Sequence, residues 1–420
     1  MMSNNMLKST NKRTKILFVT WDGPQVNYLE SLFLPIFKKL EKIDFDFHIL
    51  QFTWGKLSRI NASRQACIDS GFTYQAETIW RYPVSVGGLL TALDGARVIR
   101  KAIRNHQIDI LMPRSTLPAL AALLALRGNS LPMVFDADGL PLDERVDFSG
   151  QSPSSLVYRL LRDVEAQAIR RADVVLTRSA KAVEILRARS GAGTSLENFH
   201  VVCNGRDVDQ FKSSDPTAST NMRRNLGLNL NTPLVVYAGS IGRQYCMGEM
   251  LRLFDFILKR RADSHFLILT GSPELVKLEL NKHLQLRGCV TTLTVPAEAV
   301  SKYLGCADLG LALRQPSFSM QAVAPIKLGE YFLCGLPVVA TAGVGDTDGI
   351  TADAAIFLTR MDDAELKTAA DWFIDSVLPH RDTFRVNSRA IGLSRFSLEA
   401  SAASYFRAFE YLGNVQRTFK

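Results

Sequence analysis

The fold of this chain is limited most strongly by a repeated alternation of short apolar runs with segments of helical period. In the first half, apolar runs at 15–21, 45–52, 108–114, 131–139, 173–179 and 199–205 alternate with helical patterns at 29–40, 118–126, 154–172 and 180–189. Short apolar strands that alternate with helices pair in parallel, because each helix returns the chain to the same edge of the sheet. The sequence therefore predicts an α/β fold.

A second series of the same kind follows a polar stretch at 206–232. Its apolar runs lie at 233–240, 265–271, 289–295, 308–313 and 336–341, and its helical patterns at 248–261, 297–307, 325–335 and 398–412. We predict two Rossmann-like domains, 1–205 and 233–397, which face each other across a cleft and are joined by an irregular connection over 206–232. Ligands of such sheets bind at the carboxyl ends of the strands, and hence in that cleft.

The charge is unevenly distributed along the 420 residues. Residues 1–200 contain 26 basic and 19 acidic side chains, whereas the remainder contains 24 and 22. A basic half indicates an anionic partner, namely a phospholipid surface, a pyrophosphate-linked substrate or nucleic acid, unless it is only a solvated surface. No basic stretch is interleaved with aromatic residues that stack on bases, so we expect no nucleic acid partner.

Cysteine and histidine spacing and hydropathy limit the class of protein further. The six cysteines and six histidines are scattered, with no CxxC, HxxxH or HExxH spacing, so we expect no metal site. The longest apolar stretch, 116–126, is shorter than the roughly 20 residues that span a bilayer. The first apolar run is too short for a secretory signal, and we expect a cytoplasmic protein with reduced thiols.

The segment 316–341 contains the residues with the clearest chemistry. Pro325 is favourable in the first turn of a helix, whose free N–H groups and positive dipole end suit a phosphate group. Lys327 adds a mobile cation in the same turn. Glu330 lies about one and a half turns along the helix, where its carboxylate can accept hydrogen bonds from a vicinal diol such as ribose. These residues describe a nucleotide-sugar site; the alternative is a capped surface helix with a solvated Glu330.

The pattern PxKxxEYxxxGxPVV in this segment resembles the donor site of retaining glycosyltransferases of family 4, which have the GT-B fold. VVCNGRDVDQF (201–211), VYAGSIG (236–242) and YLGCADLGLAL (303–313) are similar to the interdomain signature, the glycine loop and a strand of that family. PRSTLPALAAL (113–123) and FDADGLPLDERVD (135–147) resemble one branch, bacterial surface-polysaccharide transferases. The order of these strings matches the family over most of the chain.

The resemblance implies an activity and a set of donor-side residues. It implies transfer of a sugar from a nucleoside diphosphate to an acceptor hydroxyl, with retention of configuration and without a metal, and a last helix, about 398–420, that returns to the first domain. Arg243 and Lys327 are the implied catalytic cations at the diphosphate. The implied donor-binding residues are Gly239, Ser240, Ser319, Ala324, Pro325, Ile326 and Glu330.

Two positions depart from the family pattern. Ala322 stands where many members have the first motif glutamate, which contacts the donor sugar. We interpret it as variation within the branch, whose members often have a serine-rich loop instead, here Ser317 and Ser319. Tyr245 stands at the position of a phosphate-binding lysine, and we expect Arg243, the nearest cation, to substitute for it.

Acceptor-side residues are expected at the strand ends of the first domain: Trp21, Asp22, Gly23, Arg114, Glu144 and Arg145. Asp138 ends the run at 131–139 and is the predicted base for the acceptor hydroxyl, with Asp136, Glu144 and Arg145 as nearby alternatives. Alternatively, the two aspartates only cap the turn. The basic half suits a glycan or polyprenyl-pyrophosphate-linked acceptor at the inner membrane face, and hence a peripheral protein of cell-surface polysaccharide biosynthesis.

Other functions share parts of these patterns. Ala322 and the altered glycine loop also fit a non-catalytic subunit that binds nucleotide or a partner transferase, and sugar-nucleotide epimerases share the fold. A Rossmann oxidoreductase is disfavoured, because the glycine-rich run 343–348 has Asp348 in place of the third glycine and no helix is predicted to begin there.

Overall fold

The structure, a computed structural model, describes residues 13–23, 27–80, 84–191, 193–347 and 349–418. The strands are β1 (Thr14–Asp22), β2 (Phe45–Thr53), β3 (Thr73–Thr78), β4 (Ile110–Pro113), β5 (Val134–Asp136), β6 (Val174–Thr177), β7 (Phe199–Val201), β8 (Leu234–Ala238), β9 (His265–Leu269), β10 (Val290–Leu293), β11 (Leu309–Ala312), β12 (Val338–Thr341) and β13 (Ala355–Leu358). The α-helices are α1 (Leu34–Glu41), α2 (Leu57–Asp69), α3 (Val84–His106), α4 (Thr116–Ala125), α5 (Pro141–Ser149), α6 (Leu156–Arg171), α7 (Ala180–Ser190), α8 (Pro216–Asn225), α9 (Met247–Arg260), α10 (Pro273–Leu280), α11 (Ala297–Leu304), α12 (Ile326–Leu333), α13 (Asp363–Trp372), α14 (Arg381–Phe396) and α15 (Leu398–Thr418).

The strands form two parallel sheets of the same topology. In the first, β3-β2-β1-β4 continues into β5-β6-β7 through the bridges Leu111–Met133 and Arg114–Asp136. The second has the order β10-β9-β8-β11-β12-β13. The strand order reverses between β1 and β4 and between β8 and β11, and ligands of such sheets bind beyond the carboxyl ends at these points. The predicted α/β class with two Rossmann-like domains is confirmed.

Strand β1 shows why the strands are apolar throughout. Successive side chains point to opposite faces, so Ile16 and Phe18 pack on one face and Leu17 and Val19 on the other. All four side chains are at most 2% exposed, because helices cover both faces of the sheet.

The chain passes between the two domains at 205–206 and returns at 396–398, and these two crossings lie side by side. The backbone N–H of Arg206 donates to the carbonyl of Phe396 (2.8 Å), and that of Leu398 donates to the carbonyl of Arg206 (3.0 Å). Beyond the return, α15 packs on the first sheet, where Tyr405 shares a buried cluster with Phe18. The last helix thus ties the second domain back to the first.

The segment 206–232 is not irregular throughout, as the sequence predicted, because it contains α8. Asp215 caps the helix by accepting from the N–H of Ala218. Arg223 is buried against the second domain, where its guanidinium bonds to Asp308 at 2.9 Å. The helix has few apolar residues and is fixed by this ion pair instead, so hydropathy did not reveal it. The domain boundaries themselves stay predictions.

Among the described helices, none combines the length and apolarity that crossing a bilayer requires.

Gly205 is the tightest point of the crossings. A Cβ atom there would lie 2.5 Å from the carbonyl oxygen of Ser397, 2.6 Å from Cβ of Ser401 and 2.9 Å from Cα of Leu398. We expect Gly205→Ala to lower the free energy of unfolding by about 1–3 kcal/mol, because backbone atoms cannot move aside easily. Scanning calorimetry measures the effect against Gly288→Ala, where nothing lies within 4 Å of the new methyl group. Equal melting temperatures for the two variants would contradict this close packing.

Candidate active site

The reversal points of the two sheets face each other and define a cleft. On the second domain, this edge consists of the loop after β8, the residues after β11 and the start of α12, whose first turn follows Pro325. On the first domain it consists of the ends of β1, β4 and β5 and the start of α5. Of the sixteen sequence-predicted site residues, nine lie on the second domain and seven on the first.

Lys327 projects from the first turn of α12 and lies between two tyrosines. Its Nζ donates to the hydroxyl of Tyr237 at 2.6 Å and lies 4.3 Å and 4.1 Å from the ring centroids of Tyr237 and Tyr245. Gly239 makes room for it, because a Cβ atom at this position would overlap Cε and Nζ of Lys327. The glycine loop and the lysine of the donor motif are therefore in direct contact.

Arg314 is the functional candidate that the sequence analysis missed. It follows β11 directly, its backbone pairs with that of Tyr245, and its guanidinium lies 5.1 Å from the Tyr245 ring centroid. Burial lowers the pKa of Lys327 well below its usual value, and the nearby charge of Arg314 lowers it further, while Glu330 acts in the opposite direction. A buried lysine whose charged form is disfavoured by a neighbouring arginine is an arrangement that a bound polyanion relieves. The available signal was its position at the carboxyl end of a predicted strand.

Arg243, which the sequence analysis assigned to the diphosphate, is exposed, as is Ser240. The carbonyl of Ser240 accepts a hydrogen bond from the Tyr237 hydroxyl at 2.5 Å. The structure therefore brings Gly239 and Lys327 together and leaves Arg243 on the outer side of the loop. Its predicted role is untested, and Arg314 is the cation adjacent to Lys327.

Glu330 lies one turn beyond Lys327 on α12, and its side chain is 15% exposed. Its Oε1 accepts from Nε of Arg206 at 2.9 Å. Burial raises the pKa of Glu330, and the charge and hydrogen bond of Arg206 act against that rise. The start of the helix is held from the same side, because Asn204 donates through Nδ2 to the carbonyl of Ala324 at 3.3 Å.

The turn before α12, Ser319–Ala322, contacts the first domain. The N–H of Ser319 donates to Oδ2 of Asp147 at 2.9 Å. Ala322 is fully buried, and a Cβ atom on Gly139 would lie 2.9 Å from the Ala322 carbonyl oxygen. Position 322, where the family pattern has its first glutamate, is thus buried between the domains, and a carboxylate there would lose its hydration. The loop makes a contact between the domains, and the donor-binding role predicted for Ser319 stays a prediction.

The first domain contributes a network of paired charges. Nη2 of Arg114 lies 2.5 Å from Oδ2 of Asp138, and Nη1 lies 3.5 Å from Asp22. Arg178 pairs with Asp136 at 2.7 Å and approaches Asp138 at 3.9 Å. Asp138 is thus engaged by two arginines of the same domain, and its predicted role as the base stays a prediction. Asp138 also has a positive φ of 54°, which the turn chemistry of aspartate tolerates.

Glu144 is a carboxyl on the first domain that both domains influence. It lies in the first turn of α5, and burial raises its pKa, opposed by Arg314 of the second domain and supported by Asp138. Groups from both domains act on this carboxyl, which places it at the cleft. A raised pKa favours exchange of a proton near neutral pH, so Glu144 is the better candidate for general base.

The remaining predicted residues have structural contacts or are exposed. Trp21 stacks on Phe52 with ring centroids 5.4 Å apart, and Gly23 lies against the Trp54 ring. Ile326 is half-buried, and Arg145 is exposed. In the run 343–348, no helix begins within the described residues, and Asp348 lies outside them. Among the described residues no group of three or more histidine, cysteine, aspartate or glutamate side chains is arranged to hold a metal ion, and the absence of a metal stays a prediction.

Lys327 supplies a test of the cation cluster. Because folding buries its ammonium group, we expect Lys327→Met to raise the free energy of unfolding of the ligand-free protein at neutral pH by about 1 kcal/mol, and hence its melting temperature by roughly one to two degrees. The difference should shrink as the pH rises. Between the lowered pKa of the folded state and the ordinary lysine pKa, the unfolded wild type binds more protons, so its stability increases with pH.

The matched control for this prediction is Lys302→Met at an exposed position of α11, which should change neither the melting temperature nor its pH dependence. A Lys327→Met protein that melts below wild type at neutral pH would contradict the proposed electrostatic cost. Melting curves at neutral and alkaline pH, without added anions, measure both quantities.

The sequence resembles known proteins over part of its length. Residues 65–205 match the family described as glycosyl transferase 4-like domain. Over 190 residues the chain is 27% identical to D-inositol 3-phosphate glycosyltransferase of Corynebacterium jeikeium, an alignment that covers 43% of each protein. The chain therefore matches less than half the length of that curated relative.

Similarity to solved structures extends over 94–96% of this chain. Anabaena HepE in complex with UDP is 18% identical, with a TM-score of 0.69 over 94% of this chain and 100% of its own. A glycosyltransferase of Rickettsia africae is 15% identical, with a TM-score of 0.69 over 96% and 99%. WaaG, a glycosyltransferase involved in lipopolysaccharide biosynthesis, is 15% identical, with a TM-score of 0.66 over 94% and 98%. At these identities the likeness concerns the fold: the chain has the GT-B arrangement of two Rossmann-like domains, and its segment 65–205 matches a glycosyl transferase 4-like domain.

Proposed function

We propose that the protein is a glycosyltransferase that takes a sugar from a nucleoside diphosphate and passes it to a hydroxyl of a glycan or lipid-linked acceptor. Retention of configuration and a place in cell-surface polysaccharide biosynthesis are part of the proposal and come from the family resemblance. The observation that carries it is the cation pair Lys327 and Arg314 beside Gly239, at the reversal point of the second sheet. The structural neighbour HepE has been crystallised with UDP and with UDP-glucose, which makes uridine nucleotides the first to test.

The donor side can stabilise a leaving diphosphate by electrostatics alone. As the bond between the sugar and the diphosphate breaks, negative charge develops on the phosphate oxygens. Lys327, Arg314 and the free N–H groups of the first turn of α12 are fixed in place beforehand, so they stabilise this charge without rearranging. Glu330 lies further along the same helix and is proposed to accept hydrogen bonds from the ribose.

The acceptor side faces this site across the cleft. The acceptor oxygen forms the new bond to the sugar and loses its proton, and we assign that proton to Glu144 because burial raises the pKa of its carboxyl. Asp138, whose partners are Arg114 and Arg178, is proposed to hold the acceptor-side loop in place. Burial and the Asp22 contact fix Arg114, so its guanidinium is a positioned cation for an acceptor phosphate.

A thermal-shift panel tests the donor site. UDP, GDP, CMP, ADP and NAD are added to wild type, Glu330→Ala, Arg314→Met and Arg243→Met. We expect one nucleoside diphosphate to stabilise wild type, by roughly 2.7 kcal/mol at a hundred times its dissociation constant. Glu330→Ala and Arg314→Met should lose most of this shift, and Arg243→Met should keep it.

Each alternative outcome of this panel has a defined meaning. Loss of the shift in Arg243→Met but not in Arg314→Met would assign the diphosphate to the cation that the sequence analysis named. A shift with NAD alone would favour an oxidoreductase. No shift with any nucleotide would contradict the donor site and favour a non-catalytic subunit, for which the buried Ala322 in place of a glutamate is the supporting observation.

The excess of basic residues in the first half supports a peripheral position on an anionic membrane, where a lipid-linked acceptor is found. We expect the protein to sediment with vesicles that contain phosphatidylglycerol at low salt, and to be released as salt screens the charges. Vesicles of phosphatidylcholine alone are the control. Absence of binding to the anionic vesicles at low salt would contradict the membrane part of the proposal and leave the donor site untouched.

A further inference from the structure

Arg206 contacts both domains from the point where the chain crosses between them. Its Nε donates to Oε1 of Glu330 at 2.9 Å, and its Nη1 donates to the backbone carbonyl of Ser31 at 2.5 Å. Its own backbone is held by the hydrogen bonds to Phe396 and Leu398 of the returning chain. The side chain is 12% exposed, so these contacts are largely shielded from water. Arg206 is therefore held in place at its backbone and, in its side chain, at Nε and Nη1.

Arg206 contacts one oxygen of the Glu330 carboxylate, Oε1. A carboxylate has two oxygens that accept hydrogen bonds in one plane, and a donor fixed on Oε1 sets the direction in which Oε2 accepts. Vicinal hydroxyls of a ribose need such an oriented acceptor, because a freely rotating carboxylate loses rotamer entropy on binding. Arg206 thus prepares Glu330 before any ligand arrives.

Arg206 also favours the charged form of Glu330. Burial raises the pKa of this carboxyl, and the groups that oppose the rise are Arg206 from the crossing and Lys327 from α12 itself. The other titratable neighbours, Tyr331 on α12 and Cys334 directly after it, are influenced by Glu330 and have pKa values raised chiefly by burial, so both stay neutral. Without Arg206, protonation of Glu330 would begin at a higher pH.

We propose that Arg206 is a positioning residue for the ribose of the nucleotide, which holds the Glu330 carboxylate charged and oriented to accept from the two ribose hydroxyls. This inference rests on the proposed donor site. The hydrogen bond to Ser31 extends the arrangement to the first domain, so the orientation of Glu330 depends on how the two domains are placed.

The test compares Arg206→Met with wild type by titration calorimetry, with UDP and 2′,3′-dideoxy-UDP as probes, at about pH 6 and about pH 8.5. If the panel selects another base, the corresponding pair replaces these two nucleotides. We expect Arg206→Met to weaken UDP binding at least about tenfold at the lower pH, since hydrogen bonds to a charged group carry that much affinity. The loss should be smaller at the higher pH, where Glu330 ionises without help, and absent for the dideoxy nucleotide.

Arg389→Met is the matched control for the loss of a buried arginine. Arg389 bonds to the backbone carbonyls of Val208, Phe211 and Leu333 and not to Glu330. The Arg389→Met variant should be less stable than wild type and should show no pH-dependent change in UDP affinity. Arg206→Lys, which keeps the charge, should recover most of the affinity at the lower pH. In a Glu330→Gln background, Arg206→Met should cost little further affinity, because the two residues act as one unit.

The outcomes separate this inference from the function on which it rests. A wild type that binds no nucleoside diphosphate overturns both. Nucleotide binding by wild type, with a loss in Arg206→Met that is equal at both pH values and equal for UDP and the dideoxy nucleotide, leaves the donor site intact and overturns the role of Arg206. Additive losses in the double variant would overturn it as well.

Discussion

The arrangement of the two domains depends on a pair of backbone hydrogen bonds, between Arg206 and residues 396 and 398, where the chain crosses from one domain to the other and back. Because both crossings run side by side, the domains cannot separate at one of them without straining the other. Gly205 allows the close approach, since any side chain at this position would meet backbone atoms of the return. The crossing also holds the donor helix, through Asn204 at its start and Arg206 on Glu330. Domain position and the shape of the donor site are therefore set by the same few residues.

The two sides of the cleft treat charge differently. On the first domain, each buried carboxylate has an arginine partner, as in the Arg178–Asp136 pair at 2.7 Å. On the second domain, Lys327 and Arg314 both contact the Tyr245 ring, and Glu330, the carboxylate that acts on Lys327, is engaged by Arg206. Fixed positive charge on the donor side attracts a diphosphate to that side before any specific contact forms.

The sequence predicts those features that are local in the chain. The apolar runs became strands, and the motif around Pro325 became the start of a helix whose lysine contacts the glycine loop. The sequence analysis assigned no element to 53–107, because the glycines in α3 weaken its helical pattern. One of them, Gly95, is required by packing, since a Cβ atom there would lie 2.9 Å from Phe52. The sequence analysis also missed α8, whose polar sequence is fixed by a buried ion pair rather than by an apolar stripe.

The choice between Arg243 and Arg314 shows what spacing cannot give. Arg243 is nearer to the glycine loop along the chain, yet a backbone bridge between Tyr245 and Arg314 brings the distant arginine next to Lys327. The same holds for Asp138 and Glu144, because the pairing of Asp138 with Arg114 and Arg178 comes from neighbouring strands. Such relations depend on tertiary contacts, and no pattern within one segment records them.

The contact between Gly139 and the carbonyl of Ala322 links the permitted sizes of two positions that are far apart in sequence. In any related chain that keeps this contact, position 139 has no room for a Cβ atom, and a polar side chain at position 322 would be shielded from water. The two sites must then change together: a chain with a glutamate at the second site needs a different backbone path at the first. Paired variation at these positions in an alignment of relatives would therefore distinguish chains that close the cleft in this way from those that bind the donor sugar through the glutamate.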